Sequence, residues 1–367
     1  MPAYPSRIGE VLCYRRIMKF GLHFQSFSGS QSPAQWYRDT LEQAVYAEAL
    51  GFESVWPVEQ HFISDLSILS APLLFLAAVA ERTKTLRLGI AIILLPLSHP
   101  IRLAEEVATL DVLSNGRVEF GIGRGAIPAH FSGFGIPQAE SRDRFIEGLE
   151  IVLAAWKDER VSYHGRFFQV DNLTVVPKPV QQPHPPLRVA CNSADTFELI
   201  GRLGYRIFAA SQVNPYYRIK EFLSVYHEAR AAAQHPSHGG DDFTLLTPLY
   251  VGENEAQIRQ EMEPSVRHLL QTASSLLESA VVSEKVAAHI REVAERSRRL
   301  TYDRMSETMA IFDTPERCVE RLARLHEDFK MDCTICWFNP GGRVPHERVM
   351  RSMELFAAKV MPHFSQK

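Results

Sequence analysis

Three short clusters in this chain carry side chains able to do chemistry: Glu59, Gln60 and His61; Gly123, Arg124 and Gly125; and Asn192, Ser193 and Thr196. Arg124 offers a bidentate fork among glycine amides. Asn192, Ser193 and Thr196 open a helical stretch whose first amides point outward and favour a phosphate. Arg142, at the start of the helix after the glycine loop, is a further donor. Each has a plain structural use as well, a helix cap for Asn192 or Ser193 and a solvated surface position for Arg142. Jointly they point to a phosphate-class anion, although the glycine turn matches neither a Walker nor a dinucleotide fingerprint. A metal centre is not expected, because barrel hydrolases need several converging His and Asp ligands and the first strand offers only His23.

These residues need a frame, and the apolar pattern supplies one. Residues 88–95 form an almost unbroken apolar run, read as a buried strand that Pro96 ends. Leu103, Val107, Leu110 and Leu113 then recur at helical spacing until Asn115 and Gly116 close the segment. Val118, Phe120 and Ile122 alternate into the glycine loop as a second strand, which makes a parallel crossover unit. Further strands are expected at 18–24, 54–58, 187–191, 206–210, 243–251 and 333–338, and helices at 33–50, 71–81, 142–156 and 194–203. The resulting eight strands favour a single (β/α)8 TIM barrel with insertions over an open doubly wound sheet. Active groups of such a barrel lie at the carboxyl ends of strands. Here those ends carry His23, then Glu59 to His61, Ala91 to Leu95, Gly123 to Gly125, Asn192 and Ser193, and Ala210 and Ser211.

Two insertions interrupt the alternation. Residues 161–176 read as a short hairpin before the proline-rich PKPVQQPHPPL. Residues 261–304, between the seventh and eighth strands, are charged and helical in composition and form either a lid or an outer helix pair. Residues 1–17 read as an extension ahead of one barrel domain over 18–367.

The totals narrow the partners. Of 367 residues, 46% are hydrophobic and 23% charged, with 40 Lys plus Arg against 43 Asp plus Glu and a net charge of -3, so no bulk charge favours nucleic acid or an anionic membrane. A small organic molecule is the expected partner. Five cysteines are too few and uneven for a disulfide framework, and a reducing cytoplasm fits best. Cys333 and Cys336 form a C-x-x-C inside an apolar strand rather than at a helix start, which argues against a redox pair. No apolar run approaches a membrane span, and the first residues lack the pattern of a secretory signal.

SVWPVEQHF, the block from Gly89 to Gly125, FGIPQAESRDRF and the carboxyl-terminal FAAKVMPHF follow one another in the order and spacing of a known family. The chain resembles the bacterial luciferase-like flavin-dependent monooxygenases, especially the luciferase alpha-subunit branch, from Met18 to about Phe364. The resemblance implies a barrel that takes reduced FMN from a separate flavin reductase and reacts it with dioxygen to a flavin peroxide. The peroxide then hydroxylates a small organic substrate or inserts oxygen beside its carbonyl in Baeyer-Villiger fashion. It places Arg124, Arg142, Asn192, Ser193 and Thr196 at the flavin phosphate, and Glu59 with the backbone of Ala91 and Ile92 at the ring system. It also implies a cis peptide between Ala91 and Ile92. Such a pocket should be apolar and closed, and the run AIILL supplies a wall.

Departures from the family are equally informative. The family's catalytic histidine falls on Gln60, which cannot titrate. Either His61 or another residue such as His23 takes over, or no base is needed; alternatively His61 is structural, near a subunit contact. A reactive cysteine falls on Gly123, leaving more room and no thiol, and a phosphate-side glutamate falls on Asn192. The resemblance further implies a homodimer paired through helices near the second and third strands, with His61, Arg102 and Glu105 at the contact. Two other readings stay open: a deazaflavin-dependent dehydrogenase on the same barrel, and a non-catalytic flavin-binding partner subunit.

Overall fold

The computed structural model describes residues 18–27, 31–278 and 300–365. The expected extension 1–17 lies outside the described residues, as does the middle of the 261–304 insertion.

Eight strands close a parallel barrel: β1 (Lys19–Phe24), β2 (Ser54–Pro57), β3 (Arg87–Gly89), β5 (Val118–Gly123), β8 (Leu187–Ala190), β9 (Arg206–Ala210), β10 (Phe243–Val251) and β12 (Cys333–Trp337). Each pairs with the next in that order, and β12 returns to pair with β1. The helices between them are α1 (Pro33–Leu50), α2 (Pro72–Arg82), α3 (Pro100–Leu113), α4 (Pro128–Gly133), α5 (Ser141–Lys157), α6 (Ala194–Leu203) and α7 (Tyr216–Ala232). After β10 come α8 (Glu255–Glu278), α9 (Tyr302–Thr308) and α10 (Pro315–Phe329), and after β12 comes α11 (His346–Lys359). The expected hairpin is present as β6 (Val161–His164) and β7 (Gln169–Leu173), paired antiparallel.

Local chemistry explains the helix ends. Ser32 caps α1 by accepting the Gln35 amide at 3.2 Å, and Gly51 ends it at a φ of 88° that favours glycine. Inside the barrel, strand alternation sends every second side chain to the axis, where glycines face one large ring. A Cβ on Gly21 would come within 2.8 Å of the Trp56 indole nitrogen, and one on Gly89 would overlap the indole outright. The indole N–H donates to Ser54 Oγ at 2.8 Å, and Phe208 packs 6.3 Å away, centre to centre. Towards the amino ends of the strands the axis is charged, with buried Arg188 paired to Asp241 and facing Glu119.

Residues 88–95 are not one strand, and this corrects the reading of the apolar run. β3 stops at Gly89, the Ala91–Ile92 peptide is cis, and the chain rejoins the sheet only as β4 (Ile93–Leu94), beside β5. Composition cannot show the break because both sides of it are equally apolar. β11 (Ile311–Asp313) was not foreseen; it extends the sheet beside the carboxyl end of β10. Cys333 and Cys336 sit three apart on β12, so alternation sends them to opposite faces, and both are free. Burial pushes the Cys333 thiol up to about 12 and the Cys336 thiol well above its ordinary range.

Candidate active site at the barrel mouth

The carboxyl ends of the strands bring His23, Glu59 to His61, Ala91 to Leu94, Gly123 and Arg124, and Asn192 to Thr196 to one end of the barrel. His23, the inward residue near the end of β1, belongs to its floor. Its Nδ1–H donates to the Trp56 carbonyl at 2.8 Å, and its ring stands edge-on to Trp337 at 5.2 Å. Burial lowers its pKa from 6.5 to about 4, so near neutral pH it is an uncharged, fixed wall.

Glu59 leaves β2 through a loop that begins with the Val58 amide donating to the Phe24 carbonyl at 3.1 Å. Both of its carboxylate oxygens are engaged: Oε1 accepts from His61 Nε2 at 2.8 Å and Oε2 from the Leu94 amide at 2.8 Å. The carboxylate thus ties this loop to β4 and orients the imidazole through its Nε2–H. Phe134 meets the His61 ring edge-on at 4.9 Å, and His130 does so at 5.9 Å. The His61 amide donates to His130 Nε2 at 3.4 Å. His130 is buried, which lowers its pKa to about 4, and its Nδ1 has no hydrogen-bond partner among the described residues. Gln60 donates its amide to the Leu69 carbonyl at 2.9 Å, and its buried Oε1 is also unpartnered among the described residues.

The anion-type donors lie at the ends of β5 and β8. Arg124 follows β5 and feels the charge of Asp195 at the start of α6. The Ser193 hydroxyl and Arg124 hold the Asp195 carboxyl below its ordinary range. The Ser193 and Thr196 hydroxyls share a hydrogen bond at 2.9 Å. Asn192 accepts the Ala210 amide at its Oδ1 at 3.5 Å, and its carbonyl accepts from Asn214 Nδ2 at 2.8 Å, which pins the turn between β8 and α6. Arg142 stands exposed in the first turn of α5. Neither Arg124 nor Arg142 is within ion-pair distance of a carboxylate among the described residues.

Gly123 does not leave the extra room expected of it. A Cβ there would overlap the δ-methyl of Ile92 and approach Ala190 Cβ to 3.4 Å. The space is filled from across the sheet by Ile92, carried on the break between β3 and β4. The sequence does not single out His130 or Phe134 as site residues, although residues 126–137 are expected to shape the pocket and Phe134 opens the FGIPQAESRDRF motif. Among the described residues no group of three or more His, Cys, Asp or Glu side chains is placed to hold a metal.

A closed parallel barrel with its polar groups gathered at the carboxyl ends of the strands is the architecture of a barrel enzyme. The family profile described as luciferase-like monooxygenase matches residues 18–329, and the chain belongs to that family, a class of oxidoreductases. One relative, the oxygenase component of a flavin-dependent trigonelline monooxygenase from Acinetobacter baylyi, is 27% identical, covering 95% of this chain and 96% of its own length. The crystal structure of the monooxygenase RslO1 from Streptomyces bottropensis superposes with a TM-score of 0.80 at 30% identity, over 95% of this chain and 100% of its own. The fold is shared with the oxygenating constituent of 3,6-diketocamphane monooxygenase from Pseudomonas putida, solved with FMN, at a TM-score of 0.79 and 20% identity over 96% and 100% of the two chains. It is shared too with an F420-dependent secondary alcohol dehydrogenase, at 0.73 and 18% over 95% and 100%.

Proposed function

We propose that this protein is the oxygenase component of a two-component system, taking reduced FMN from a separate reductase and using dioxygen to hydroxylate or Baeyer-Villiger-oxidise a small organic substrate. The observation that carries this reading is the donor set at the ends of β5 and β8. Arg124, which has no carboxylate within ion-pair distance among the described residues, stands with the Ser193 and Thr196 hydroxyls at the start of α6, and this set fits a phosphate monoester. Gln60 Oε1, unpartnered among the described residues, is a buried acceptor that suits a ring N–H. Bound reduced FMN supplies the electrons that activate dioxygen.

The chain's own residues do the rest. Arg124, Arg142, Asn192, Ser193 and Thr196 hold the phosphate, and the backbone of Ala91 and Ile92 with Glu59 borders the ring system. Glu59 orients His61, whose Nδ1 is free to take or give a proton, while Gln60 serves as a neutral hydrogen-bonding group. Leu94, Leu95 and Ile92 keep water from the site. The deazaflavin-dependent dehydrogenase remains the alternative on this fold, and a homodimer in the cytoplasm is the expected setting. Anaerobic titration with photoreduced FMN followed by air tests the reading. Reoxidation slower than that of free flavin supports it, and reoxidation at the free rate refutes it. Sedimentation as a monomer would remove the dimer.

A further inference from the structure

A cavity of about 580 Å³ opens at the carboxyl ends of β1 and β12, under the first turns of α1 and α11. That volume suits a small organic ligand. His23, Gln25, Trp36, Asp39, Trp337 and Asn339 line it. It starts beside the catalytic loop, because Phe24, on its wall, accepts the amide of Val58, one residue before Glu59.

Asp39 is the unusual member. Its side chain is buried, 7% exposed, on the inner face of α1. Its carboxylate accepts from Gln35 Nε2 at 2.5 Å, and no Lys, Arg or His lies within ion-pair distance of it among the described residues. A carboxylate taken out of water without a cation is unfavourable, and a ligand cation removes that penalty. The remaining walls favour the same ligand. Phe27 and Trp337, stacked 6.0 Å apart at 17°, and Trp36 give the cavity an aromatic lining of the kind that attracts organic cations. Glu42 and Glu347 add negative charge against the guanidinium of Arg343 and the His346 imidazole, whose Nε2 lies 3.4 Å from Glu42.

We propose that this cavity receives the organic substrate and that Asp39 binds a cationic group on it, of the ammonium or alkylated ammonium class. The substrate role rests on the reading of the barrel mouth as the reaction site. Choline and its neutral isostere 3,3-dimethylbutan-1-ol serve as probes, compared by calorimetry on the full chain, with FMN binding measured alongside. Choline should bind about tenfold more tightly than the isostere, the size of one charge-assisted contact. The preference should disappear in Asp39→Asn, persist in Asp39→Glu, and leave FMN affinity unchanged. Equal binding of the two probes by the natural chain, which needs no variant to fold, would overturn the proposal, and so would a preference that survives Asp39→Asn. FMN binding without choline preference sinks this inference alone. Choline preference without FMN binding supports the cation site and sinks the reading of the mouth on which its substrate role rests.

Discussion

Lowering the pH from 7 to 5 should destabilise the folded chain through His23. Its folded pKa is about 4 against an ordinary 6.5, because the ring is buried against Trp337 with Nδ1–H committed to the Trp56 carbonyl. Between those values the unfolded chain binds a proton that the folded chain does not, so stability is complete above about pH 6.5 and is lost as pH falls toward 4. Two and a half pH units at about 1.4 kcal/mol each give about 3 kcal/mol in all, of which about 2 kcal/mol falls between pH 7 and pH 5. His130, also depressed to about 4, adds in the same direction. Carboxylates with lowered pKa, such as Glu48 and Asp195, act only below their ordinary 4.5 and 3.8, which keeps the window clear for histidine. Urea unfolding at pH 7 and pH 5 should show a smaller pH-dependent loss in His23→Gln than in the natural chain, whatever the starting stability of the variant. An equal loss in both, or an NMR titration of His23 near 6.5, would refute the reasoning.

Arg124→Ala should raise the Kd for reduced FMN by about tenfold to a hundredfold, as loss of a charge-assisted fork does, with a smaller effect from the exposed Arg142→Ala; fluorescence titration decides. Gly121→Ala should cost several times more stability than Gly123→Ala. Its Cβ would meet the Ile90 backbone carbonyl, whereas the Gly123 Cβ would clash with the movable end of Ile92 and touch Ala190 at ordinary contact distance, so overpacking of about 1 kcal/mol is expected there. Thermal melts should also show Ile92→Ala relieving Gly123→Ala, and equal costs for the two glycines would contradict the packing described. In a Cys13→Ser background, native protein at pH 8 should fail to react with a disulfide reagent at Cys191, Cys318, Cys333 and Cys336, and urea should expose all four.

Where local chemistry sets an element, it could be read to the residue. Pro33–Leu50 lies between Ser32 and Gly51, Ala194–Leu203 ends at Gly204, and Phe243–Val251 has turn-forming residues before it and Gly252 after it. The break after Gly89 could not be read in this way. It depends on Gly121 leaving space for the Ile90 carbonyl, a contact between residues about thirty apart in an equally apolar sequence. The same limit applies to the site. His23 and His61 look alike in sequence, and only packing makes one a neutral wall and the other the partner of Glu59. Asp39 looks like any polar residue on an amphipathic helix until the barrel buries it. Ile92 filled the space at Gly123 because a glycine records the absence of its own side chain and says nothing of its neighbour's.

The Trp56 indole, lying across Gly21 and Gly89 with Phe208 beside it and the Arg188–Asp241 pair behind, closes the barrel axis from within. The enzyme is therefore a cul-de-sac. On the proposed reading, what reaches the site does so at the strand ends rather than along the barrel axis. On that reading flavin and substrate share one end of the barrel, and each narrows the way for the other.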